Sequence, residues 1–167
     1  MIAIIKYNAG NIKSVENAIK RLGYECVVTD DEKAIRSASK VIFPGVGEAS
    51  SAMEYLKKHH LDELIISLKQ PTLGICLGQQ LMCSYSEEGD TTCLGIFDAS
   101  VKKFPPEELV PHMGWNNLEN LKSPLLKGIS EQDNVYFVHS YYAELSEETI
   151  ATCNYILPFG AAMQKYN

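Results

Sequence analysis

The chain has 167 residues, enough for one domain with a single hydrophobic core, and its 46 % apolar and 22 % charged composition is that of a globular protein. Its 15 Lys and Arg stand against 21 Asp and Glu, a net charge of −6, which argues against nucleic acid or an anionic membrane as partner. No apolar run reaches the ~18 residues of a membrane span, Met1–Lys6 is too short for a signal peptide, and five cysteines without a paired spacing suggest neither a disulfide framework nor a metal site. The expectation is a reduced, cytoplasmic protein.

Ile2–Lys6 is a short apolar run that reads as a buried strand. Val15, Ala18, Ile19 and Leu22 then recur at i, i+3, i+4 and i+7, one face of a helix, with Ser14 as its N-cap and Gly23 as its stop. Tyr24–Thr29 is rich in β-branched residues and predicts a second strand. Lys40–Phe43 predicts a third, ended by Pro44-Gly45. Two helical faces follow, Ala49/Ala52/Met53/Leu56 and Leu61/Leu64/Ile65/Leu68. Thr72–Ile75 predicts the next strand and Leu77–Tyr85 a helix behind it. This alternation implies α/β architecture: three layers around a mostly parallel, doubly wound sheet. Beyond residue 90, short candidate strands (Leu94–Phe97, Val101–Phe104, Val135–Ser140, Ala151–Tyr155) suggest a mixed or antiparallel extension. No repeat or linker divides residues 1–167, so a single domain is expected.

Three stretches carry chemistry. Gly74-Ile75-Cys76-Leu77-Gly78 lies between a predicted strand and a predicted helix, the context of a nucleophile elbow. Glycines two before and two after the cysteine relieve crowding at such a turn. Amides at the helix start would lower the thiol pKa. The plain alternative is a buried cysteine between packing glycines. Pro44-Gly45-Val46-Gly47 could turn backbone N–H groups inward as an oxyanion hole, or be an ordinary strand-to-helix turn. His112-Met113-Gly114-Trp115-Asn116 holds the only tryptophan, which suits either a core or an interface. Of the four histidines, His59 and His60 look solvated. His139 shares a strand face with Val135 and Phe137, and a structural role suits it better than that of a base.

Taken together, these residues resemble the class I (triad) glutamine amidotransferases, and within them the branch that forms the glutaminase part of imidazole glycerol phosphate synthases in histidine biosynthesis. The resemblance runs through Tyr7-Asn8-Ala9-Gly10-Asn11, Val41–Gly47, Gly74-Ile75-Cys76-Leu77-Gly78-Gln79-Gln80-Leu81, Ser86–Gly89, Pro111–Asn116 and Val138–Tyr141. It implies a flavodoxin-like fold with no metal and no cofactor. Cys76 would be the nucleophile, with the Leu77 N–H and the Val46-Gly47 peptide as oxyanion hole. Gln80 and Glu88, with main chain at Gly47, Ser140 and Tyr141, would bind glutamine. Asn11, Met113, Trp115 and Asn116 would face a (β/α)8-barrel cyclase that receives the ammonia.

Two features depart from the family. Lys6 stands where an acidic residue is usual. No His-x-Glu occurs in the chain, whereas the family takes its base and orienting carboxylate from a His-Pro-Glu stretch soon after the Gly160–Ala162 region. The expectation is a chain lacking that C-terminal strand, and inactive as it stands. The alternatives are a catalytically dead binding module, or another cysteine-elbow α/β protein of the chaperone or deglycase type.

Overall fold

The computed structural model describes residues 1–8 and 11–167, so Ala9 and Gly10 of the Tyr7–Asn11 stretch lie outside the described residues. The first half builds a parallel sheet. Strands β1 (Ile2–Ile5), β2 (Cys26–Thr29), β3 (Lys40–Phe43) and β4 (Thr72–Gly74) run in the order β2-β1-β3-β4, with Ile4 opposite Val28 on one side and Ile42 on the other. β1 and β3 are central, and Ala3, Ile4, Ile5, Val41 and Phe43 are accordingly buried, as near-continuous apolar runs in parallel sheets are. Lys6 extends the ladder with its N–H, which donates to the Thr29 carbonyl at 2.9 Å. Nothing in the structure explains its side chain, which is exposed.

The helices are placed by their apolar faces. α3 (Ala49–Lys58) buries Ala49, Ala52, Met53 and Leu56, and α4 (Leu61–Ser67) buries Leu61, Leu64 and Ile65. The Glu48 carboxylate caps α3 by accepting the Ser51 N–H, satisfying one of the donors a helix start leaves free. α1 (Ile12–Arg21) begins earlier than the Ser14 cap predicted. Asn11 holds the left-handed conformation at its N-cap (φ 65) and Ser14 lies inside the first turn, an arrangement open to asparagine because its short side chain tolerates that region. Gly23, at φ +80, does end the helix. A helix absent from the sequence reading, α2 (Glu32–Ser37), is capped by Asp31 and buries only Ile35.

The second half forms a mixed sheet with its own hydrogen-bond network. Strands β5 (Tyr85–Ser86), β6 (Thr91–Thr92), β7 (Ser100–Lys103), β10 (Tyr141–Ala143), β11 (Thr149–Tyr155) and β12 (Leu157–Met163) run β11-β12-β10-β7-β5-β6, with β5 and β7 parallel and the other pairs antiparallel. A separate antiparallel hairpin joins β8 (His112–Asn117) to β9 (Asn134–His139). Leu94–Phe97 is not the strand expected. It is a loop that donates the N–H groups of Leu94, Gly95, Ile96 and Phe97 to carbonyls of Leu81, Cys83 and Met82, closing the C-terminal end of α5 (Leu77–Met82), where helix carbonyls lack partners. α5 stops three residues short of the Tyr85 predicted, because Tyr85 is drawn into β5.

β4 is the edge strand of the parallel sheet. Beside it opens an apolar groove of about 850 Å³, lined by Ile66, Leu73 and Ile96 among others, with Asn167 at its rim. No described helix is long and apolar enough to cross a membrane.

Candidate active site

Cys76 sits between β4 and α5 at φ 55, ψ −118. That region is reserved almost wholly for glycine, and a non-glycine residue held there stores strain of the kind found at functional sites. The glycines around it are required by contact. A Cβ on Gly78 would lie 1.9 Å from the Phe43 carbonyl oxygen, and one on Gly74 would lie 2.8 Å from Met82 Sδ and 2.9 Å from the Gln79 nitrogen. The elbow is therefore a close crossing of α5 over the end of β3, tied by the Ile75 N–H donating to the Phe43 carbonyl at 3.0 Å. Cys76 is exposed, whereas Cys83, Cys93 and Cys153 are buried, which removes the reading of a packed core thiol.

The Pro44–Gly47 loop abuts this turn. A Cβ at Gly45 would come within 2.8 Å of both the Gly78 nitrogen and Leu77 Cβ, so the loop backbone runs against the first turn of α5. Gly47 takes φ +121, with open space where a side chain would go, and Val46 is exposed. Beneath the loop, the Tyr7 hydroxyl donates to the Pro44 carbonyl at 2.7 Å.

The thiol departs from expectation in one respect. The thiol pKa is raised by desolvation first and by the charge of Glu88 as well, against the lowering pull of the neighbouring Leu77 N–H. Although Cys76 is reached by solvent, enough protein surrounds the sulfur to disfavour its anion. A six-residue α5 supplies one well-aimed amide, and that is outweighed.

Glu88 is thus close enough to act on the sulfur. Its Oε2 accepts the Ala49 N–H at the start of α3 at 2.9 Å. Burial, with Glu48 nearby, raises its pKa against the pull of that amide. Gln80, one turn into α5, donates from Nε2 to the Tyr141 carbonyl at 2.9 Å. Burial first, and then the charge of Glu88, raises the pKa of the Tyr141 hydroxyl. Cys76, Leu77, Gln80, Glu88 and Tyr141, spread over 66 positions of sequence, therefore meet at one place. Ser140 precedes Tyr141 and uses its carbonyl to accept the Phe104 N–H. Glu48, which the sequence reading missed, lies close enough for its charge to raise the pKa of Glu88. Its signal was its place directly after Gly47, where it caps α3.

Met113 and Trp115 stand outward on β8, and Tyr136 and Val138 stand outward on β9. All four are more than half exposed, Trp115 at 71 %, which settles the choice between core and surface for the tryptophan. Tyr136 and Val138 join this apolar face through the β8–β9 register, Trp115 opposite Tyr136 and Met113 opposite Val138. Asn116 lies at the next position of β8 and donates to the Asn154 carbonyl at 3.1 Å. Asn11 caps α1 on the parallel-sheet half.

His59 and His60 are exposed. His139 has both ring nitrogens engaged, Nδ1 with the Tyr141 carbonyl at 2.8 Å and Nε2 with His112 Nδ1 at 3.0 Å. Burial lowers the pKa of both histidines, and the His139 charge lowers that of His112 further. The folded chain keeps them neutral where the unfolded chain, titrating near pH 6.5, takes up protons. Their contribution to stability is therefore complete above about pH 6.5 and is lost as pH falls through the depressed folded values. Thermal melts from pH 7.5 to 5.5 should show a falling Tm, and the fall should be smaller in His112→Phe/His139→Phe.

Residues 3–158 match the family model of the class-I glutamine amidotransferases. The chain is 59 % identical to the imidazole glycerol phosphate synthase subunit HisH of Bacteroides fragilis, over 99 % of this chain and 86 % of that protein. It is 45 % identical to the subunit of the same name from Pasteurella multocida, over 99 % and 85 %. A crystal structure of a glutamine amidotransferase superposes with a TM-score of 0.69 at 18 % identity, covering 90 % of this chain and 78 % of that one, a likeness of fold alone. With this similarity along nearly its whole length and an elbow cysteine beside the Pro44–Gly47 loop, the chain belongs to the class-I glutamine amidotransferase family, among relatives named imidazole glycerol phosphate synthase subunit HisH.

Proposed function

We propose that this chain is the glutamine-hydrolysing component of an imidazole glycerol phosphate synthase, working in histidine biosynthesis in the reducing cytoplasm. The Cys76 sulfur attacks the side-chain carbonyl carbon of glutamine, and the tetrahedral oxyanion is received by the Leu77 N–H and the Val46-Gly47 peptide. Collapse breaks the C–N bond, and the proton given up by the Cys76 thiol goes to the leaving nitrogen, which departs as ammonia and leaves a γ-glutamyl thioester that water cleaves to glutamate. Gln80 and Glu88 hold the glutamine head group, with main chain at Gly47, Ser140 and Tyr141. The carboxylate of Glu88 suits the α-ammonium group.

The hairpin face of Met113, Trp115, Tyr136 and Val138 seats the barrel cyclase that consumes the ammonia. Aromatic and methionine side chains on a rigid sheet are the composition of interface anchors. The observation that carries the reading is the strained, exposed Cys76 on the turn between β4 and α5.

The base is not among the histidines described, since His139 is fully engaged, His112 is buried between Tyr155 and Phe137 and bonded to His139, and His59 and His60 are exposed elsewhere. The family resemblance assigns it to a His-Pro-Glu segment, which these 167 residues do not contain. Loss of a triad member commonly costs ~10⁴-fold in turnover. The 167-residue polypeptide should therefore bind glutamine and react with its analogues, yet release negligible glutamate even with its cyclase present. A chloroketone analogue of glutamine should alkylate Cys76 with saturation kinetics, and glutamine should protect it. Alkylation that glutamine does not slow would overturn the assignment. The second reading is a scaffold that docks a partner without chemistry. It expects the hairpin to bind the cyclase while the chloroketone shows no saturation.

A further inference from the structure

The hairpin and the glutamine site are joined by a chain of hydrogen bonds through two histidines that the reaction itself does not use. His112 and His139 face each other directly in the β8–β9 register. Their rings sit in an aromatic box. His112 is stacked between Tyr155 at 4.0 Å and Phe137 at 4.8 Å, and His139 is met edge-on by Phe104 at 5.2 Å and Phe159 at 5.1 Å. Such a box would pack as well around two apolar rings, and a polar pair inside it costs desolvation unless its atoms are matched.

The matching has one direction. The Tyr141 carbonyl can only accept, so His139 carries its proton on Nδ1 and donates at 2.8 Å. Neutral His139 then offers a lone pair at Nε2, and His112 must donate to it from Nδ1 at 3.0 Å. The Tyr141 oxygen has a second lone pair, and Gln80 Nε2 donates to that at 2.9 Å. The order is therefore His112 to His139 to the Tyr141 oxygen, which also receives Gln80. β8 and β9 form a two-stranded sheet outside the larger ones. Its inner face, and the direct passage of β9 through Ser140 into Tyr141, tie it to the site, while its outer face presents Met113, Trp115, Tyr136 and Val138.

We propose that His112 and His139 are positioning residues that hold the Tyr141 carbonyl, and through it Gln80, in the geometry that receives glutamine, so that the hairpin's placement sets affinity at the site. This rests on the glutaminase reading above and deepens it. A partner seated on the outer face that moved the hairpin would change the grip on Gln80 without touching the cysteine.

The test is saturation alkylation of the 167-residue chain by the glutamine chloroketone, with iodoacetamide as a thiol probe that has no head group. His139→Phe keeps an aromatic ring in the box and removes the donor. A carbonyl deprived of one partner should raise the half-saturating chloroketone concentration about five- to tenfold. The limiting rate and the iodoacetamide rate should stay unchanged. His112→Phe leaves His139 in place and should raise it about two- to threefold, which keeps the idea testable should His139→Phe fold poorly. In a Gln80→Met background, His139→Phe should add nothing, because the relay acts through Gln80.

An unchanged half-saturation in both histidine variants would overturn the proposal. So would a full additional loss in the Gln80→Met background, or equal losses of chloroketone and iodoacetamide reactivity. Absence of saturation in the unmodified chain would instead remove the glutaminase reading, and this inference with it.

Discussion

Gly78→Ala should destabilise the protein by about 3 kcal/mol or more, among the largest effects of any single methyl group in it. The added Cβ would stand 1.9 Å from the Phe43 carbonyl oxygen and 2.9 Å from its carbon. Both are backbone atoms of β3, and neither can rotate away. The only relief is to lift α5 from the end of β3. That would part the Leu77 N–H from the Pro44–Gly47 loop and break the crossing that presents Cys76. At this chain length the loss corresponds to a fall in Tm of roughly 6–12 °C, accompanied by loss of chloroketone labelling. Gly23→Ala is the control. Its Cβ meets nothing within 4 Å and only the φ of +80 is unfavourable, so about 1 kcal/mol is expected. Calorimetry giving the two variants the same Tm would refute the close crossing.

Cys76→Gly and Cys76→Ala should separate the two things this residue does. Both remove the sulfur, and mass spectrometry should find no chloroketone adduct at position 76 in either. Only the glycine variant should change stability. Alanine keeps a Cβ at φ 55, ψ −118 and retains the strain, so its Tm should match that of the parent. Glycine occupies that region freely and should release strain of order 1–3 kcal/mol, part of it offset by the greater freedom of glycine in the unfolded chain. A net gain of about 1 kcal/mol is expected, or a rise in Tm of roughly 2–4 °C. A nucleophile whose removal stabilises its protein is one held in place for function at the fold's expense. A fall in Tm for Cys76→Gly would show that the turn is not strained.

Local pattern made much of this legible from sequence. β3 spans the predicted Lys40–Phe43. The buried residues of α3 and α4 are those of the two predicted faces, with Leu68 just past the end of α4. These elements bury one face along consecutive turns or a whole apolar run, so their periodicity reflects burial directly. The elbow was legible for a related reason, since a glycine on each side of a cysteine between strand and helix answers a steric demand that the chain itself announces. Glu32–Ser37 was not legible, because six residues with one buried side chain show no period. Leu94–Phe97 looked like a strand because its residues are apolar. Its backbone groups went to the end of α5 instead of a neighbouring strand.

What the amino-acid order made legible by itself was the α/β class, the cysteine elbow and its glycines, and the loop at Pro44–Gly47, because each leaves a local pattern of apolar periodicity or paired glycines in the chain. Tertiary structure alone decided the rest. It brought Glu88 to the sulfur and turned the thiol pKa upward, set Trp115 outward with Tyr136 and Val138, and locked His139 between His112 and Tyr141. Desolvation, strand register and ring packing depend on segments tens of residues apart, and no local pattern in the chain carries them.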